Sequence, residues 1–234
     1  MTGALLLGLL LGMRHAMESD HVAAVATLTA GNTSLRRSLL LGAVWGLGHT
    51  ATLLVVCTAV LLADAAVPQE IAHLLEGAVG IMLLGLGFDL LRRLRQARIH
   101  VHAHTHADAG LHLHMHSHRG EPASRAISHD HGHPRGFPMR ALAVGMMHGL
   151  AGSAALMVLA FARFASPLSG LVYILVFGAG SIAGMAVLSL AIAVPLRWTS
   201  RSFGRLNQVL QGAAALCAIG IGAALIAEQA VLLH

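Results

Sequence analysis

The 234-residue chain contains no lysine, and Asp, Glu and Arg together make up only 11% of it, against about 25% charged residues in ordinary soluble domains. Together with 56% hydrophobic residues and a mean hydropathy of +0.72, that scarcity excludes an ordinary soluble enzyme. Aromatics are few at 4%, and 6 prolines stand beside 26 glycines. The balance points to closely packed apolar helices and away from a membrane barrel with aromatic girdles. Cys57 and Cys217 lie far apart inside apolar runs. They form no CxxC pair and no disulfide framework, and read as buried small hydrophobes. In the absence of lysine all 15 cationic side chains are arginines, so the high isoelectric point is an arginine effect. Against this poverty stand 17 histidines.

Crossing a bilayer takes about 20 apolar residues in a helix, and stretches near 3–29, 38–63, 70–92, 138–163, 168–195 and 208–232 all satisfy this. The expected fold is an all-α, polytopic membrane protein with six transmembrane helices. The first apolar run has no basic residues ahead of it and continues into a charged motif, unlike a cleaved signal peptide. With six crossings, Arg36, Arg37, the eight arginines from Arg92 to Arg140, and Arg197, Arg201 and Arg205 all fall on one side. Arg163 alone falls on the other, and Arg14 lies within the first stretch. The positive-inside rule makes the arginine side cytoplasmic. A multi-pass protein of the cytoplasmic (inner) membrane is therefore expected, with both termini outside and lipid, not nucleic acid, around it.

The sequence also repeats itself. Gly12-Met13-Arg14-His15 returns as Gly145-Met146-Met147-His148, Val44-Trp45-Gly46-Leu47-Gly48 as Val176-Phe177-Gly178-Ala179-Gly180, and Gly85-Leu86-Gly87 as Gly220-Ile221-Gly222. The offsets are 133, 132 and 135 residues. One glycine match among apolar residues is cheap, whereas three in order at nearly one offset are not. Three spans per unit is an odd number, so the second unit must be inverted relative to the first. Many secondary transporters have this layout, with a site near the midplane. The expected organisation is a first three-helix repeat over 1–98, a cytoplasmic histidine-rich loop over 99–137 and a second repeat over 138–234.

The first stretch contains Arg14-His15-Ala16-Met17-Glu18-Ser19-Asp20-His21 near its middle, where ionisable groups cost several kcal/mol. Arg14 and Glu18 are four apart and could neutralise each other as a structural ion pair. His15, Asp20 and His21 remain, and two imidazoles with a carboxylate suit a borderline divalent ion such as nickel, cobalt or zinc. On a regular helix His15 stands about 140° from Asp20 and about 120° from His21, too far round to meet at one ion. Either the helix is broken within 14–21, as at many transporter midplanes, or only some of the three bind. His49, in Gly46-Leu47-Gly48-His49-Thr50 of the second stretch, is a fourth candidate beside glycines that allow close helix approach. Its bland alternative is a helix–helix hydrogen bond.

These residues resemble the nickel/cobalt transporters (NiCoT). The family's hallmark R-H-A-x-D-x-D-H is matched by Arg14, His15, Ala16, Glu18, Asp20 and His21, with Glu18 where the family usually has Asp. Its second motif, L-G-H-S-T-V-V, is matched by Leu47, Gly48, His49 and Thr50, then loosely by Ala51-Thr52-Leu53. The resemblance implies that the first motif is essential and that its histidines and aspartate bind the metal. The chain departs from the family pattern of eight spans and an acidic L-G-F-D-T-A-T-E motif, because Met147–Ala154 contains no acid. It is more similar to a short, six-span branch of that superfamily, the urease-accessory-like nickel permeases.

Under the repeat offsets His15 maps onto His148, Asp20 onto Ser153, His21 onto Ala154 and His49 onto Ser181. The first repeat thus carries the principal metal ligands His15, Asp20, His21 and His49. The second adds His148, with Ser153 and Ser181 as helpers, and Glu18 is a further helper in the first; close small-residue packing is the alternative for the serines. The loop holds His100, His102, His104, His106, His112, His114, His116 and His118, then His129, His131 and His133. Its HxHxH alternation has strand periodicity, but no partner strand is evident, so it is expected to be disordered without metal. Neutral imidazoles there would form an accessory metal site that buffers metal or hands it to a cytoplasmic acceptor. The sequence therefore describes a transporter of nickel and/or cobalt working by alternating access, with the ion as cargo and no resident cofactor. The motif match favours uptake, and the cytoplasmic histidines argue for efflux. A membrane metalloenzyme such as a desaturase would need several HxxxH or HxxHH clusters near the cytosolic face, and a thiol-relay protein would need cysteines at equivalent repeat positions.

Overall fold

Long apolar runs become helices here, and the few turn-formers set where those helices end. The computed structural model describes residues 2–32, 34–63, 68–96, 99–106, 109–117, 138–163 and 167–232, without the side chains of 2, 61–63, 99–117, 152–163, 167 and 201. Its helices are α1 (Thr2–His15), α2 (Ser19–Thr29), α3 (Leu35–Ala63), α4 (Gln69–Gln96), α5 (Met139–Arg163), α6 (Pro167–Ser202) and α7 (Gly204–Leu232). Gly31, at φ 80°, makes the left-handed turn between α2 and α3, a conformation that glycine adopts without steric cost. Pro68 and Pro138 immediately precede α4 and α5, and Pro167 opens α6. At these starts a missing N–H leaves no helical bond unmade.

The histidine-rich segment corrects one expectation. Its two halves are each other's strand partner: β1 (Ile99–His106) pairs antiparallel with β2 (Ala109–Ser117). The register sets His100 opposite His116, His102 opposite His114 and His104 opposite His112. Directly opposed residues share a face of a ribbon, so this register assigns those six positions to one face. His118, His129, His131 and His133 lie outside the described residues.

The helices meet backbone to backbone. α4 packs along α7, α3 along both α5 and α6, and α1 along α6. A Cβ at Gly12 would fall on the carbonyl oxygen of Phe177, and one at Gly145 on that of Trp45. Gly180 meets the Leu9 carbonyl and Gly48 the Leu142 carbonyl in the same way. Gly80 and Gly222 face each other, while Gly87 lies on the Ala215 carbonyl. Glycine at such crossings lets axes approach closely, which is how membrane helices gain packing without a hydrophobic driving force.

Trp45, Leu53, Leu83 and Met185 are fully buried between these helices. The outer surface is also apolar, with Leu6, Val55, Ile81, Phe88, Val187 and Leu216 exposed. Among the described residues, Leu35–Val60, Gln69–Gln96, Leu168–Ser200 and Gly204–Leu232 are long and apolar enough to cross a membrane. An apolar exterior of this extent is unlike a soluble surface. The chain is a helical membrane protein. The same exterior corrects the reading of the cysteines, since Cys57 is buried but Cys217 is exposed. Lipid-facing positions are as apolar as core ones, so an apolar run does not separate the two.

At the arginine-bearing ends, Asp89 of α4 accepts from Arg93 on its own helix and from Arg140 of α5 at 2.7 Å. This clasp ties the end of α4 to the start of α5.

Candidate metal centre

The cluster depends on an interruption in the first apolar stretch. After His15 the backbone tightens, with Met17 N–H donating to the Arg14 carbonyl at 2.9 Å and Glu18 N–H to that of His15 at 3.0 Å. These i to i−3 bonds are 3₁₀-like. Helical pairing resumes when Val22 N–H reaches the Glu18 carbonyl at 2.9 Å. The break falls within 14–21, where the angular conflict among His15, Asp20 and His21 requires one.

With the chain turned there, the rings of His15 and His21 come to 4.5 Å between centroids. His49 of α3 stands 5.2 Å from His15 and 5.4 Å from His21. His148 of α5 lies 4.0 Å from His21. Donor atoms of His15, His21 and His49 lie within 4.8 Å of one another, as do those of Asp20, His21 and His148. Trp45, 5.3 Å from His21, and Phe177, 5.4 Å from His15, form aromatic walls.

Asp20 organises two of the rings. Its Oδ1 accepts from the His21 backbone N–H at 2.9 Å and lies 3.1 Å from His21 Nδ1, and its Oδ2 lies 2.8 Å from His148 Nε2. An ionised carboxylate only accepts, so both of those ring nitrogens carry hydrogens. In the neutral, metal-binding form of each ring the bare lone pairs are then on His21 Nε2 and His148 Nδ1. Glu18 does the same for His15, whose Nδ1 is 3.0 Å from Glu18 Oε2. The result is a set of buried ring nitrogens with no hydrogen-bond partner: His15 Nε2, His21 Nε2, both nitrogens of His49 and His148 Nδ1. Each buried unsatisfied polar atom costs about 1–3 kcal/mol, and lone pairs so gathered are the donor set of a borderline transition metal. A cavity of about 850 Å³ reaches His15, His21 and His148 and is lined further out by Arg14, Glu18, Glu76, Glu228 and Gln229.

The structure thus brings together His15, Asp20, His21, His49 and His148 from separate parts of the chain. Glu18 pairs with His15, not with Arg14, because the break removes the i, i+4 geometry that pairing needs. Ser181 Oγ donates to the carbonyls of Phe177 at 3.1 Å and Gly12 at 3.3 Å, which is the packing role. The side chain of Ser153, like those of the loop histidines, lies outside the described residues. Sequence reasoning missed Glu76, Glu228 and Gln229. Their signal was present as polar groups in the otherwise apolar α4 and α7.

Together, a helical membrane body and a buried histidine–aspartate cluster at a helix break define the class. The chain belongs to the family of the urease accessory protein UreH: it is 35% identical to UreH of Bacillus sp. (strain TB-90) over 213 residues, covering 88% of this chain and 83% of that protein. It is also similar to the chloroplast protein FOR GROWTH AND FERTILITY 2 of Arabidopsis thaliana, 25% identical over 224 residues, or 95% of this chain and 55% of that longer protein. No family model and no solved structure matches the chain.

Proposed function

We propose that this protein carries Ni²⁺ and/or Co²⁺ across the cytoplasmic membrane by alternating access, in the direction of uptake, with the ion held by the imidazole cluster. The observation that carries this is the set of unpartnered ring nitrogens on His15, His21, His49 and His148, gathered from three apolar segments, with His15, His21 and His148 on the wall of the cavity. His15, His21 and His49 form the principal donor set. Asp20 and Glu18 stand behind the rings as carboxylate partners that fix tautomer and orientation, an arrangement common among metal-ligating histidines. His148 and Asp20 form the adjoining set through His21. Membership of the UreH family agrees with the resemblance of the two histidine motifs to nickel/cobalt transporters.

Six spans in two inverted repeats are the architecture we infer for this transport. Its support is the pairing of contacts under the sequence offsets. Gly12 on Phe177 corresponds to Gly145 on Trp45, Gly180 on Leu9 to Gly48 on Leu142, and Gly87 on Ala215 to Gly222 on Gly80. The α1–α6 and α5–α3 packings correspond in the same way. The units are 1–98 and 138–234, with 99–137 as the cytoplasmic histidine loop and both termini outside. The cavity runs from the cluster toward helix ends that lack the arginines, while the Asp89–Arg140 clasp closes α4 onto α5 at the arginine end. We read this as a carrier open to the outside.

The opposing direction, efflux, draws on one observation: the ribbon register that assigns six histidine positions to one face, a device for concentrating cargo inside. Accumulation of radioactive ⁶³Ni²⁺ in intact cells with and without the protein tests the choice. Uptake requires higher cell-associated metal with the protein, and lower metal would establish efflux.

A further inference from the structure

The outer half of the cavity contains chemistry that the histidine cluster does not use. Its wall there comes from α4 and α7, which contribute Glu76, Glu228 and Gln229. α4 begins at Gln69 and α7 ends at Leu232, so these residues lie near the helix ends opposite the arginines. Gln229 is 5% exposed, and its amide is engaged on both sides. Its Oε1 lies 2.7 Å from His73 Nδ1, and its Nε2 donates to Glu76 Oε2 at 2.7 Å. Since an amide oxygen accepts and an amide nitrogen donates, the chain runs one way, from His73 through Gln229 to a carboxylate on the cavity wall. Only one of the two Glu76 oxygens is bound by that amide.

Two further observations point to a cation as the occupant. The cavity lining includes Glu18, Asp20, Glu76 and Glu228 against Arg14 as its one arginine. The same cavity ends on His21 and His148, 1% and 2% exposed, each with an unpartnered ring nitrogen. A path lined by carboxylates that terminates on bare imidazole lone pairs suits a divalent cation that arrives hydrated and exchanges water for nitrogen deeper in.

We propose that Glu76, positioned by Gln229 and His73, forms with Glu228 a docking station for a hydrated divalent cation at the outer end of the cavity. It is separate from the imidazole cluster and precedes it on the path. This rests on the transport reading above. Hard carboxylate oxygens hold such an ion without discriminating strongly among divalent metals, and selection is left to the imidazoles.

The test uses the full-length purified protein with Mn²⁺, a cation that favours carboxylates, read by electron paramagnetic resonance. The E76Q/E228Q variant should bind about one Mn²⁺ fewer than wild type, whereas H21A/H49A keeps the wild-type number. In proteoliposomes E76Q/E228Q should raise the KM for ⁶³Ni²⁺ about ten-fold with kcat nearly unchanged, because a cleft of one charge sign concentrates counter-ions. Q229L should move KM the same way by a smaller factor, and high salt should shrink both effects. E228Q alone changes an exposed position and provides the same comparison if the double variant does not fold. Unchanged Mn²⁺ stoichiometry in the carboxylate variants overturns the station, whatever the flux. Wild-type ⁶³Ni²⁺ flux in H21A/H49A, with the Mn²⁺ difference intact, instead overturns transport through the imidazoles and leaves the station standing.

Discussion

Asp20 serves two imidazoles with its two oxygens, and this double engagement fixes which nitrogens of His21 and His148 are bare. D20N keeps the shape but removes the charge, and its amide nitrogen must face one ring as a donor. That ring would have to flip tautomer and present a hydrogen where the bare lone pair now stands. Loss of such a carboxylate partner typically lowers metal affinity about 10–100-fold, so D20N should show that loss in Ni²⁺-dependent flux at wild-type protein levels; unchanged half-saturation would remove Asp20 from the site. E18Q should act in the same direction through His15, more weakly because Glu18 is exposed. Residue identity was legible from the sequence at His15, Asp20, His21 and His49, because ionisable groups inside an apolar run are conspicuous. The partner of Glu18 was not, since it depends on where the backbone breaks. Gln229 was not either, because one amide near the end of a long apolar helix is ordinary until its neighbours are known.

At the scale of elements, the break at 16–18 and the glycine crossings determine whether the cluster forms at all. The break was legible because ideal helical geometry forbids the three side chains from meeting. The ribbon was not read from the sequence: the alternation has strand periodicity, but disorder was expected because the register joining the two runs emerges only on folding. Whether a glycine in an apolar helix stands at a crossing or faces lipid was not legible, and substitution separates these cases. Gly145→Ala places its methyl against the Trp45 carbonyl, whereas nothing lies within 4 Å of a Cβ at Gly77 or Gly220. G145A and G12A should therefore lower the thermal midpoint and the yield of folded protein. G77A and G220A should leave both unchanged or raise stability by up to about 1 kcal/mol, the helical advantage of alanine. Equal behaviour of all four variants in a detergent melting experiment would contradict the close crossings.

For the whole molecule, the proposed function gives the histidine ribbon and the membrane body separable tasks. Deleting residues 100–133 should leave initial Ni²⁺ uptake nearly unchanged and lower the metal bound by purified protein from several ions toward one. The part lost should fade in wild type as pH falls below the ordinary imidazole value of about 6.5, since protonated rings do not ligate; equilibrium dialysis between pH 5 and 8 reads both effects. Complete loss of flux in the deletion variant at every metal concentration would make the ribbon part of the path. Metal movement itself is the most direct test: ⁶³Ni²⁺ flux into proteoliposomes of wild type, H15A, H21A and H49A, with insertion verified for each. Transport through the cluster requires saturable flux in wild type and background flux in the three variants. Wild-type rates in any two of them would contradict it.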